Sequence, residues 1–311
     1  MNFSRLTHYI SPFTLSFLLF LVISCKSYRQ KVDELPDNAY KGTINVSADE
    51  TFKPIIDEQV MVYEANHPGT RIRVQYKPEV ECLRDLENDS IRMSIATRVY
   101  NEDEKEFIID SLKVSPEHMV LAKDAIAVIV NPENPYRYFT MKDIMEILKG
   151  RFTKNLIPVF DGVKATSTVR FIIDSVLRGD TLTSKAMAAR SSEGVIDYVS
   201  KNPDVVGFIG VSWIGNPEDT AQIGYLKKVR MMPIESTDIP GLYVMPSQAN
   251  IYIHRYPMVR DLVYMLKEKY KGLGHGFADF MSGEKGQLIF RRAYLMPAQK
   301  NFGIRPVKLK E

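Results

Sequence analysis

The stretch "AIAVIV", Ala125 to Val130, is an unbroken apolar run closed by "NPENP". A strand with one wet face alternates polar and apolar residues. A continuous run bounded by prolines reads instead as a strand covered on both faces. Such a strand needs helices on either side of its sheet, which confines the chain to α/β layers. The flanking sequence supplies them. "GTINVSA" reads as a short strand, and "ETFKPIIDEQVMVYEANHPG" places Phe52, Ile55, Ile56, Val60 and Tyr63 at helical spacing. "TRIRVQYKP" alternates as a strand, "ECLRDLENDS" is a short helix, and "IRMSIATR" is a strand. "NEDEKEFIIDSLK" is a helix with acids in its first turn, where the macrodipole favours them. "TMKDIMEILKGRF" is a helix with Gly150 at its C-cap. "VVGFIGVSWI" is a buried strand that ends in Trp213, expected in the core. "IGYLKKVRMMPI" and "GLYVMPSQANIYIHRYP" are expected as strands; "MVRDLVYMLKEKY" and "GFADFMSGEKGQLIFRRA" are expected as helices. The alternation predicts mainly parallel sheets.

At 311 residues a single core usually stops growing, so two domains are expected. Net charge is +3, from 41 basic and 38 acidic residues, which gives no reason to expect a nucleic-acid partner. The N-terminus is a different material. "FTLSFLLFLVI", Phe13 to Ile23, is too short to span a bilayer and suits the apolar region of a secretory signal. It runs into Val22, Ile23, Ser24 and Cys25, which resembles a bacterial lipobox. That resemblance implies cleavage before Cys25 and a lipid on its sulfur, with an uncleaved membrane anchor as the alternative. The polar stretch 25–41 reads as a tether. With Cys25 lipidated, Cys82 has no partner, so neither a disulfide nor a CxxC motif is expected.

Signatures of catalysis are missing. The chain lacks a phosphate loop of the GxxxxGK[ST] type, an HExxH pair and a GxSxG elbow. "GLGHG", Gly272 to Gly276, superficially resembles a dinucleotide loop, but it follows no expected strand and reads as a flexible turn. His8, His67, His118, His254 and His275 are scattered without ligand spacing. An enzyme, a cofactor and a metal are therefore not expected.

One arrangement recurs. A helix N-terminus presents unpaired N–H groups and partial positive charge, which suits an anion. Hydroxyls stand at three such junctions: Thr51, the run Thr166, Ser167 and Thr168, and the pair Ser191 and Ser192. Each alone reads as an N-cap, worth about 1 kcal/mol to its helix. Micromolar capture of an anion needs about −8 kcal/mol, and a hydrogen bond to a charged group nets roughly 1.5–3 kcal/mol. Several junctions must then converge, as a cleft between two α/β lobes allows.

The order of these motifs resembles the PstS-like phosphate-binding proteins of ABC transporters. "INVSADETFKPIIDEQVMVYE" is similar to their first strand, loop and helix, with Thr51, Phe52 and Pro54 at the helix start. "SIATRVYNEDE" is similar to their strand ending in Ser-Arg or Ser-Asp, with Thr97 and Arg98 in those places. "FDGVKATSTVRFIIDSVL" resembles their Ser-Gly-Thr helix start. "NPDVVGFIGVSW" and "FADFMSGEKGQLIFRRAYLMPA" match a Val-Gly-Phe strand and a C-terminal helix with its Leu-Pro-Ala turn. Three departures stand out. Val159 occupies the place of an Arg two residues before Asp161, Ser167 replaces the middle Gly, and the second loop carries Glu79 and Glu81 instead of Ser and Gly.

The resemblance implies a type II periplasmic-binding-protein fold. One lobe would combine residues 42–123 and 245–311, and the other would be 124–244, after a signal peptide, 1–24. It implies an anion held by Thr51, Phe52 (backbone), Arg98, Asp161, Thr166, Ser167, Thr168 and Arg170, with Arg170 equally readable as a surface charge. The expected ligand is inorganic phosphate or a similar oxyanion, passed to ABC permease subunits by a monomer lipid-anchored at Cys25 and facing the periplasm. Three alternatives stay open: another oxyanion, phosphate sensing without transport, or a surface lipoprotein whose cleft takes a peptide or protein.

Overall fold

In a computed structural model of the protein, the described residues are 35–298 except 89 and 163–165. The expected signal segment and the lipidation at Cys25 lie outside them. Among the described residues no helix is long and apolar enough to cross a membrane. The expected tether is already packed at its end: Asp37 is buried, accepts the Leu273 N–H at 2.7 Å, and pairs with Arg92 at 2.8 Å.

The chain opens with β1 (Lys41–Asp49), a 3₁₀ turn (Glu50–Phe52), α1 (Lys53–Asn66), β2 (Gly69–Lys77), α2 (Glu79–Asp85), β3 (Ile91–Ala96) and α3 (Glu102–Leu112). The 14-residue β4 (Glu117–Val130) follows. Next come α4 (Met141–Leu148), β5 (Ile157–Phe160), α5 (Ser167–Phe171) with a π turn (Ile172–Val176), β6 (Met187–Ala188), α6 (Ser192–Lys201), β7 (Val205–Gly210) and a 3₁₀ turn (Val211–Trp213). The last part holds α7 (Thr220–Lys228), β8 (Arg230–Met231), β9 (Ile234–Glu235), β10 (Tyr243–Val244), α8 (Gln248–Tyr252), β11 (Val259–Leu266), α9 (Leu273–Ser282), α10 (Glu284–Arg292) and β12 (Met296–Pro297).

One sheet carries both lobes, in the order β2-β1-β3-β11-β4-β7-β5-β6, with β8 and β12 also on β4. The two lobes share β4 and β11, and each strand changes core along its length. Leu121 and Ala122 of β4 pack with Val46, Phe52, Ile56 and Phe277. Ile126, Val128 and Val130 pack with Phe160, Phe208 and Tyr256, while Ala127 and Ile129 point to the opposite face against Val195 and Val199. The unbroken "AIAVIV" run is thus buried on both sides, as its pattern requires. On the return, Val244, Ile251, Tyr256 and Met258 belong to the second lobe's core and Leu262 to the first. Between Met258 and Leu262 the packing thus passes from the second lobe's core to the first's.

That strand is the largest departure from expectation. "MVRDLVYMLKEKY" was expected as a helix; most of it is β11, antiparallel to both β3 and β4. Its Leu, Met and Lys suit a helix, but the slot between two strands buries it from Leu262 to Leu266, and sheet pairing overrides propensity. The sheet is mixed for the same reason, not mainly parallel. "AQIGYLKK" forms α7 because Asp219 accepts the Ala221 and Gln222 N–H groups as its cap. Ser247 caps α8 in the same way inside a stretch expected as strand. "GLGHG" is no free turn, because α9 begins within it.

The second lobe closes tightly around β7. The Phe160 and Phe208 rings stack at 5.2 Å. A Cβ on Gly207 would lie 2.8 Å from Ile129, 2.8 Å from Val195 and 2.9 Å from Val199. Gly207→Ala is therefore expected to destabilise the protein by about 1–3 kcal/mol through overpacking, read as a lower urea midpoint with unchanged slope. An unchanged midpoint would mean that α6 yields at no cost.

Candidate ligand-binding cleft

Where β4 and β11 cross between the lobes, Arg260 stands directly opposite Asp124 in the antiparallel register. Both are buried, and Arg260 Nε donates to Asp124 Oδ2 at 2.9 Å. Arg260 Nη1 reaches onward to Ser167 Oγ at 2.9 Å and Thr168 Oγ1 at 3.3 Å. The guanidinium also lies over the Phe52 ring, 5.3 Å from its centroid, a cation–π contact. One arginine on a crossing strand thus touches the helix start of each lobe.

The three hydroxyls that open α5 divide the work. Thr166 is the cap: its Oγ1 accepts the Val169 N–H at 3.3 Å. Ser167 and Thr168 are fully buried and turn their hydroxyls to Arg260. Helix geometry leaves the first backbone N–H groups of α5 without intrahelical acceptors. Thr51 and Phe52 end the 3₁₀ turn at the entry to α1 and are buried. Ser191 caps α6, while Ser192 donates to Asp161 at 3.1 Å. Gly210 closes the floor, where a Cβ would meet Thr51 at 3.0 Å and the Arg260 guanidinium at 3.5 Å.

Carboxylates crowd this cluster. Asp49 Oδ1 accepts the Thr51 N–H at 2.9 Å. Asp49 Oδ2, Asp161 Oδ1 and Thr51 Oγ1 are buried without a well-formed hydrogen bond among the described residues, with the Ser167 hydroxyl near Asp49 and the Thr51 hydroxyl near Asp161. Burial pushes Asp49 up to about 6, against the pull of the Arg260 charge. Burial likewise raises Asp124 and Asp161, each opposed by Arg260. Glu50, half-buried beside them, is pushed up to about 7 by burial and by the Asp161 and Asp49 charges. A single guanidinium therefore serves three buried aspartates. Among the described residues no group of three or more His, Cys, Asp or Glu is placed to hold a metal ion.

Two of the sequence-predicted arginines stand elsewhere. Arg98 does not join the cluster: its Nη1 and Nη2 grip Glu104 at 2.6 and 2.8 Å, tied to the α3 cap. Arg170 sits at the rim. Its Nε donates to Glu79 at 2.5 Å and its Nη2 to Thr97 Oγ1 at 2.7 Å, so its charge is spent on a protein carboxylate and not on the cluster. Burial alone would raise Glu79, but Arg170 and the Thr97 donors outweigh it and hold the carboxyl below its ordinary value. Glu81, in contrast, is exposed. Trp213 is only partly buried, and its indole N–H donates across the cleft to the Thr51 carbonyl at 2.6 Å. Arg260, Asp124 and Asp49 were not anticipated. The signal for Arg260 was a single cation inside the apolar run "MVRDLVYML", masked by its expectation as a helix.

A family model for the PBP superfamily domain matches residues 36–285. No curated protein matches the chain in sequence. Among solved structures, it superposes on a substrate-binding protein assigned to a phosphate ABC transporter of Clostridium perfringens, solved with bound phosphate. The TM-score is 0.68 at 17% identity, over 83% of this chain and 100% of that one. An ABC-type phosphate transport receptor from Vibrio cholerae gives a TM-score of 0.63 at 19% identity, covering 82% and 100% of the two chains. PstS from Borrelia burgdorferi gives 0.54 at 18% identity, covering 84% and 100%. The chain belongs to the PBP superfamily, and its two lobes on crossing strands have the type II fold of the PstS-like binding proteins.

Proposed function

We propose that this protein is an extracytoplasmic solute-binding protein that captures protonated inorganic phosphate between its lobes for an ABC importer, anchored by a lipid on Cys25. It acts by binding and release, not by catalysis. The observation that carries the reading is the Arg260 cluster, in which one guanidinium is presented with two hydroxyls of the second lobe and the helix start of the first. Guanidinium, hydroxyl and helix-terminal N–H groups are the donors that a tetrahedral oxyanion uses. The likeness to phosphate-binding proteins supports the ligand class.

The carboxylates refine it. A fully ionised oxyanion brought beside Asp49 and Asp161 meets only repulsion. A phosphate that keeps a proton can donate it to a carboxylate oxygen such as Asp161 Oδ1. Asp49, moved up to about 6, is neutral in mildly acidic solution and becomes a donor there. The proposed ligand is thus monobasic phosphate, with sulfate excluded. The lobes are taken as bounded near 124 and 258–262, where the core changes along β4 and β11. Closure about these strands is hinge motion.

Three outcomes are expected. Calorimetry on purified protein detects phosphate binding that is at least tenfold tighter at about pH 5.5 than at about pH 8, because Asp49 and Glu50 ionise in between, and sulfate does not compete. Heat that is absent at millimolar phosphate at both pH values, from folded and ligand-free protein, ends the reading. Arg260→Lys, which keeps the charge and loses the fork, weakens phosphate at least tenfold; an equal affinity would show that Arg260 does not touch the ligand.

The third concerns Asp49 itself. A carboxyl moved from 3.8 to about 6 is favoured neutral in the folded state. Stability is then full below the ordinary value and is lost as pH rises through about 6. The difference corresponds to about 3 kcal/mol at most. Asp49→Asn is therefore expected to raise the melting temperature at about pH 8 and to change it little at about pH 3. Equal shifts at both pH values would place Asp49 in a solvated setting.

A further inference from the structure

Glu79 opens α2 in the first lobe and is fully buried. Its Oε1 accepts the Thr97 N–H at 2.8 Å and the Thr97 hydroxyl at 2.5 Å. Its Oε2 accepts Arg170 Nε at 2.5 Å from α5 of the facing lobe. Arg170 Nη2 then closes the ring on Thr97 Oγ1 at 2.7 Å. A backbone N–H, a hydroxyl and a guanidinium from across the cleft make the donor set of an anion site, and here the protein supplies the anion.

We propose that Glu79 is a resident anion that latches the two lobes together without bound solute, with Arg170 as its partner across the cleft and Thr97 as its seat. Three observations carry this. The Arg170–Glu79 contact joins residues 91 apart in sequence and on opposite lobes. Glu79 has no solvent exposure, so parting the lobes strips a buried carboxylate of its cation. Arg170 has a second carboxylate on its own helix, Asp174 at 3.4 Å, to which the guanidinium can turn when the lobes part. The Trp213 to Thr51 hydrogen bond forms a second clasp on the same cleft. A binding protein that depends on solute for closure changes shape when solute arrives. One closed by its own carboxylate rests closed, and its solute leaves only when the latch opens.

The test is small-angle scattering of purified, solute-free protein beside Glu79→Gln, Arg170→Gln and the double variant. Glu79→Gln keeps the shape and removes the charge; Arg170→Gln alters a partly exposed side chain and serves where the buried change impairs folding. Each folded single variant is expected to show a larger radius of gyration than the parent, and the double variant no further increase. Unchanged radii in both single variants, both folded by circular dichroism, overturn the latch. Additive expansion in the double variant overturns the pairing. A kinetic arm rests on the phosphate reading: stopped-flow release of phosphate is expected to be at least tenfold faster in Arg170→Gln. The scattering arm uses no ligand, so failure of the phosphate reading leaves it intact, and unchanged radii despite phosphate binding would sink the latch alone.

Discussion

The Arg260–Asp124 pair is the interaction on which the rest of the cleft depends. It lies where β4 and β11 pass between the lobes and is buried on both sides of the ladder. A buried ion pair seldom adds stability over a well-packed apolar pair, but removing one partner costs several kcal/mol because a bare charge remains. Asp124 therefore holds Arg260 in place, and Arg260 in turn orients Ser167 and Thr168 and covers Phe52. Both lobes take their helix starts to this one cation.

Carboxylates outnumber cations around that pair. Asp49, Asp124 and Asp161 share Arg260, while the second nearby cation, Arg170, is committed to Glu79. The first arrangement gathers three carboxylates around one guanidinium. The second places an ion pair across the cleft at the rim. Both use the same physics: a buried carboxylate either loses its charge or acquires a cation, because desolvation leaves no third choice.

The architecture was legible because burial leaves a period in the chain. "AIAVIV" announced a strand covered on both faces, and the fold places alternate side chains in two different cores. The helix starts at Thr51 and Thr166 were legible through their hydroxyls, since capping is a local interaction. Illegible were the elements whose identity is set by neighbours distant in sequence. "MVRDLVYML" has helix-forming residues, and only the gap between β3 and β4 makes it a strand. With that strand misread, Arg260 was invisible, and Arg98 and Arg170 were the only cations left for the site. In the structure each is engaged by a carboxylate, Arg98 by Glu104 and Arg170 by Glu79.

By itself, the sequence determined the layers and the hydroxyl-bearing helix starts, because each rests on patterns a few residues long, while the expectation of two lobes rested on chain length and on the order of motifs along the whole chain. Only the tertiary structure decided which cation lies between the lobes, which carboxylates surround it and which contacts cross the cleft. Those depend on pairings between residues such as Asp124 and Arg260, 136 positions apart. Chain proximity carries no information about such pairs, and the energy that fixes them comes from burial that exists only once the sheet has formed.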